Sequence, residues 1–116
     1  MQYALLLYAS EAGQQGAGEA APAAIECERE AFSAELARNG QRRSFYSLAQ
    51  SASATTLRRR DGTTVLCDGP LAETREQLVG LLLIEARDLD EAIAIARRAP
   101  DAKIGSVEIR PVRESA

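Results

Sequence analysis

The sequence predicts an α+β fold in which two helices cover one face of a sheet, and three observations carry that expectation. Two nearly all-apolar runs, Tyr3 to Tyr8 and Val79 to Glu85, have the length of strands and the continuous pattern of strands buried on both faces. Two segments repeat their apolar residues with a helical period, one before and one after the middle of the chain. Between them lies a β-hairpin marked by Asp61-Gly62. At 116 residues the chain is read as one domain, residues 1–116, with a single core.

Each element follows from local chemistry. Gly13 to Gly18, rich in Gly and Gln, reads as a loop after the first strand. A helix is expected to start near Pro22, because proline is tolerated in a first turn. Ile25, Phe32 and Leu36 fall on one of its faces, with Ala21 and Ala24 as candidates for the same face, and Asn39-Gly40 stops it. Arg43 to Leu48 is a weaker strand candidate. Thr55 to Arg60 and Thr63 to Cys67 then flank Asp61-Gly62, which pairs Leu57 with Leu66 and leaves Asp68 where the ladder ends. Asp88 with Glu91 three residues later has the spacing of a capping box. Leu89, Ala92, Ile93 and Ala96 form the expected apolar stripe of the helix that follows, and Pro100 marks its end. A last strand, Ser106 to Val112, alternates Val107 and Ile109 with Glu108 and Arg110.

This order is a ferredoxin-like β-α-β-β-α-β sandwich with an inserted β-hairpin. The helices cover one sheet face only. Leu5-Leu6-Leu7 and Leu81-Leu82-Leu83-Ile84 nevertheless place apolar side chains on both faces. Leaving the second face in water exposes a patch larger than monomers tolerate, so pairing with a second copy, a homodimer, is expected.

Composition narrows function. The net charge of −3 gives no electrostatic case for nucleic acid. No apolar run nears the roughly 20 residues that cross a bilayer, and no signal peptide is read, so a cytoplasmic protein is expected. Histidine is absent, which removes the commonest general acid/base and the commonest neutral metal ligand. Cys27 and Cys67 lack metal-ligand spacing and read as reduced thiols; no metal site and no cofactor are expected.

The motif richest in chemistry is Asp68-Gly69-Pro70-Leu71-Ala72-Glu73-Thr74-Arg75-Glu76-Gln77-Leu78. An Asp that bonds backbone two residues on, a Gly of free φ and a Pro of fixed φ make a rigid turn. The same residues also suit a cleft mouth, with Asp68 and Glu73 as candidate catalytic carboxylates whose proximity would split their pKa values. Both readings stand at this level. Candidate ligand-binding residues are Tyr8 and Glu11 at the end of the first strand, Gly69 and Pro70 in the turn, Arg75 beyond it, and Arg58 on the hairpin. Arg58 shares a face with Arg60, while Arg59 points opposite. These arginines either guard a strand edge or bind a small anionic metabolite through its carboxylate or phosphate.

The motif resembles the DGPFAETKEQL signature of the DGPF subgroup of YCII-related proteins. The resemblance extends to Tyr3 to Glu11, Thr55 to Gly62, Leu83-Ile84-Glu85, Asp88 to Ala92 and Gly105 to Val112. It implies a dimeric α+β barrel, a role for the opening Tyr8 and Glu11 in the site, and a neighbourhood of sigma-factor regulation. Three departures matter. Leu71 stands in place of the signature's Phe, Val79-Gly80-Leu81-Leu82 replaces a Gly-Gly-Phe-Tyr segment, and Arg43 to Gln50 lacks the Gly-rich pattern before the hairpin. The His–Asp pair proposed to be catalytic in some relatives has no counterpart here beyond Asp68, because the chain has no His. Three functions follow as alternatives: a ligand-binding or accessory dimer, a cofactor-independent lyase, isomerase or hydrolase using Asp68 on a small organic acid, and a purely structural interaction module.

Overall fold

The computed structural model describes residues 1–10 and 20–113; the expected Gly13 to Gly18 loop and Glu11 lie outside them. The chain is α+β. Strand β1 (Gln2–Ala9) is followed by helix α1 (Ala20–Arg38) and β2 (Arg42–Ser47). A 3-10 turn (Ser51–Ser53) then leads to the β3 (Thr55–Arg60) and β4 (Thr63–Asp68) hairpin, and to β5 (Gln77–Glu85). Helices α2 (Leu89–Arg98) and α3 (Asp101–Ile104) and strand β6 (Gly105–Pro111) complete it.

Four strands form one sheet in the order β2-β5-β1-β6, every neighbouring pair antiparallel, while β3 and β4 make a separate two-stranded ribbon. Strand period sorts the side chains. Tyr3, Leu5, Leu7 and Ala9 of β1 and Leu82 and Ile84 of β5 face the helices and are buried, while Ala4, Leu6, Tyr8, Leu81 and Leu83 face away and stay partly exposed. Register joins the two strands through Leu5 opposite Leu82, and β6 adds Ile109 opposite Leu5 and Val107 opposite Leu7. Phe32, Leu36, Ala92, Ile95, Ala96 and Ala99 close the core from the helices. The molecule is only 18 Å thick against 47 and 46 Å in its other dimensions, the depth of one sheet plus one layer of helices. Among the described residues, the helices therefore cover the apolar runs of β1 and β5 on one side only.

Helix ends follow the local rules. Gly40, at φ +71°, lets Gln41 N–H donate to Leu36 O at 2.9 Å and its own N–H donate to Ala37 O at 3.1 Å, a Schellman closure of α1. Asp88 caps α2 by accepting from the Glu91 N–H at 2.9 Å. The return bond goes one residue earlier than a capping box predicts, from the Arg87 N–H to Glu91 Oε1 at 3.0 Å.

One expected face is corrected. Helix α2 buries Ala92 and Ala96 as expected, together with Ile95, while Leu89 and Ile93 are exposed. Both sets obey helical spacing, so periodicity alone does not choose between them. Ala92 and Ala96 belong to both stripes, and docking on the sheet turns the helix so that Ile95, not Leu89 or Ile93, completes the buried face.

A buried ion pair ties the helical layer together. The Asp101 side chain is 1% exposed, and Arg29 grips it with two bonds, Nε to Oδ1 at 3.1 Å and Nη2 to Oδ2 at 2.7 Å. Arg29 also reaches Glu26 at 3.4 Å. The hydrogen bond to Asp101 raises the Arg29 pKa above its already high usual value, against the opposing effect of burial.

Candidate functional site

The site begins where β4 ends. In the hairpin, Asp61 and Gly62 both take positive φ, 54° and 78°, as a type I′ turn requires. That turn fixes the register Arg60–Thr63, Leu57–Leu66 and Thr55–Asp68, so Asp68 stands at the base of the ribbon as the sequence predicts. Gly69 follows at φ +108°, a conformation that side chains disfavour. Its N–H donates to Ala54 O at 2.7 Å, and its carbonyl accepts from Thr56 Oγ1 at 2.9 Å. The turn is therefore held by the Gly69 backbone and Thr56. The expected alternative, a turn capped by the Asp68 side chain, is not the one adopted. Among the described residues Asp68 makes no side-chain hydrogen bond and no ion pair.

Gln77 organises the loop that follows. Its Nε2 donates to Ala72 O at 3.0 Å and to Thr74 O at 2.9 Å, and Thr74 Oγ1 donates to Glu76 O at 2.6 Å. Ser106 on β6 then donates to Glu76 Oε1 at 2.8 Å, anchoring the loop to the main sheet. This internal bonding holds residues 69–76 in place without a regular element.

Two adjoining clefts result. The larger, about 1040 Å³, is lined by Asp68, Gly69, Pro70, Glu73, Thr74 and Arg75 from the motif, with Ser10 from the end of β1 and Ser51 and Ala52 from the 3-10 turn. The smaller, about 600 Å³, shares Ser51, Pro70, Thr74 and Gln77 with it and is bounded by Tyr8, Leu48, Leu71 and Leu78. Tyr8 and Leu78 are register partners across β1 and β5, just past a bulge after Leu7.

Of the residues singled out from sequence, Asp68, Glu73, Gly69, Pro70 and Arg75 thus meet in the larger cleft, and Tyr8 lines the smaller one. Arg58 is on the ribbon and lines neither. Glu11 lies outside the described residues. Ser10, Ser51 and Gln77 were not foreseen. Ser51 belongs to a small-residue stretch with no chemical signature, and Gln77 is the one the motif's spacing could have revealed.

The electrostatics are simple. Asp68, Glu73 and Arg75 are exposed, and among the described residues none of them is bonded to another side chain. The larger cleft therefore offers two carboxylates and one guanidinium to a ligand, with hydroxyls and an amide around them. It is open, so water reaches all three charged groups. Among the described residues, no group of three or more Cys, Asp or Glu side chains could hold a metal ion. Both cysteines are free and exposed. No described helix is long and apolar enough to cross a membrane.

Away from the cleft, Glu85 pairs with the Met1 ammonium at 2.9 Å and with Arg43 at 3.5 Å. The hydrogen bond from the terminal ammonium is the main reason its carboxyl lies below the usual range. Arg110 and Glu108 pair on the open face of β6, and the hydrogen bond to Glu108 raises the Arg110 pKa.

An uncharacterized protein of Rhizobium meliloti (strain 1021) is 46% identical over 67 residues, which is 56% of this chain and 54% of that protein. The chain thus matches about half the length of this relative. The family model of the YCII-related domain matches residues 1–116. The chain belongs to the YCII-related domain family.

Proposed function

We propose that this chain is a ligand-binding or accessory homodimer, in which the motif cleft takes a small organic acid. One observation carries the reading. Asp68, Glu73 and Arg75, three charged side chains from one motif, line one cleft, and among the described residues none is engaged by another side chain. Arg75 is the group to pair with a ligand carboxylate, and Asp68 and Glu73 accept hydrogen bonds from its hydroxyl or amino groups. That Asp68 takes no part in holding the turn weighs against the purely structural module. Catalysis as a lyase, isomerase or hydrolase is the second reading, supported by two carboxylates sharing a cleft.

The assembly is part of the proposal. The strand order β2-β5-β1-β6 supports a ferredoxin-like plan with the ribbon as an insertion. The open sheet face carries Ala4, Leu6, Tyr8, Leu81 and Leu83, and a second copy packed there, as in a dimeric α+β barrel, removes them from water. An accessory role near sigma-factor regulation rests on the DGPF resemblance alone.

A thermal-shift screen of small hydroxy, keto and amino acids on the wild type and on Asp68→Ala tests the ligand site. At least one compound is expected to raise the melting temperature of the wild type and not of the variant. The variant without ligand should keep the wild-type circular dichroism spectrum, since within the chain the Asp68 side chain has no bond to lose. A library that stabilises both proteins equally, or neither, defeats the reading.

A further inference from the structure

We infer that the outward face of the β3–β4 ribbon is a self-complementary docking surface for a second copy, and that it brings the partner's guanidinium at position 59 to Asp68. The inference rests on the homodimer reading and adds to it a surface and a residue. Cross-strand partners in an antiparallel pair point to the same side. Thr55 with Asp68, Leu57 with Leu66, and Arg59 with Thr64 therefore share one face of the ribbon. All six are exposed, Leu57 at 57% and Leu66 at 64%, whereas on the opposite face Thr56 and Arg58 are half-buried and its exposed apolar residue, Val65, has no apolar cross-strand partner. Read from base to tip, this face presents an anion, an apolar pair and a cation.

The charges at its ends are about 13 Å apart along the strand, four residues at roughly 3.3 Å each, too far to meet within one chain. Among the described residues neither the Asp68 carboxylate nor the Arg59 guanidinium has a partner. A two-fold axis through the Leu57–Leu66 pair solves both problems together. It stacks the apolar pairs of two ribbons and sets each Asp68 against the other copy's Arg59, as an isologous contact demands. Area agrees with an auxiliary role. The open sheet face, about 19 by 23 Å, buries about 900 Å² over two copies, short of the roughly 1,200 Å² of a stable interface. Two ribbon faces of about 20 by 10 Å bring the sum to about 1,300 Å². The ribbon thus sets register and completes the area, and each motif cleft gains a guanidinium from the partner at its edge.

Sedimentation equilibrium on the wild type, Arg59→Asp, Asp68→Arg, and an equimolar mixture of the two variants tests this. Each variant alone places like charges together twice across the two-fold and is expected to weaken dimerisation about 10- to 100-fold. In the mixture, heterodimers restore both opposite-charge contacts and should recover the wild-type affinity to within about threefold. Circular dichroism controls for folding; if a reversal unfolds, Arg59→Gln and Asp68→Asn replace it, each expected to weaken the dimer about 3- to 10-fold. A wild type that stays monomeric overturns the homodimer reading itself. A wild-type dimer indifferent to these substitutions, or a mixture no tighter than its components, overturns the ribbon contact and leaves the sheet-face dimer standing.

Discussion

Replacing Arg29 by Met removes both bonds that hold the Asp101 carboxylate and leaves that carboxylate where it is. Asp101 is 1% exposed, so it cannot turn to water, whereas the Arg29 side chain is 15% exposed and lies at the surface end of the pair. An uncompensated buried charge costs about 3–5 kcal/mol. Total stability for a chain of this length is about 6–17 kcal/mol, so the loss is a large fraction of it. With an unfolding entropy of about 0.24 kcal/mol per kelvin at this size, the melting temperature should fall by about 12–20 °C. The reverse change, Asp101→Ala, should cost less, about 1–3 kcal/mol. Arg29 then keeps Glu26 at 3.4 Å and can reach solvent. The double variant Arg29→Met with Asp101→Leu should recover most of the loss, because an apolar pair of similar volume replaces the ion pair. Urea unfolding of the four proteins measures all three quantities. If Arg29→Met proves no more costly than Asp101→Ala, the argument from unequal burial is wrong.

Three further outcomes follow from single residues. Gly105→Ala places a Cβ 1.9 Å from Tyr8 O and 2.9 Å from Ala9 Cα, so β6 must shift away from β1; a loss at or above the upper end of about 1–3 kcal/mol is expected by urea melt. Gly69→Ala meets no atom within 4 Å but forces a side chain to φ +108°, so it should cost about 1–3 kcal/mol through backbone strain, with the four-stranded sheet unchanged by amide exchange. Glu85→Gln tests pH dependence. A carboxylate held below its usual pKa stabilises the fold above about pH 4.3 and loses that contribution as pH falls through its lower folded value. The variant's stability should therefore fall less steeply than the wild type's below about pH 4.3, and parallel acid limbs would refute the pairing with Met1 and Arg43.

Much of this molecule is legible from local rules because those rules act over a few residues. Asp61-Gly62 demands two positive φ values, and the hairpin register, down to Asp68 at its base, follows from the turn. Asn39-Gly40, Asp88 with Glu91, and the extended Ala99 before Pro100 bound the helices for equally local reasons. The alternation of Val107 and Ile109 with Glu108 and Arg110 reads directly onto the two faces of β6. What sequence could not decide depends on which surfaces meet. Two stripes of α2 were equally periodic, and only packing against the sheet selected Ile95 over Ile93. Arg29 falls on the same helical face as Ile25, Phe32 and Leu36, where a charge makes no sense until Asp101, far along the chain, arrives to bond it. The cleft is of the same kind. The motif names its chemical groups, but Ser10 and Ser51 join them only because β1 and the 3-10 turn end at the same corner of the sheet. Local propensity writes the elements; long-range contact, which no short window contains, decides the faces, the buried ion pair and the composition of the site.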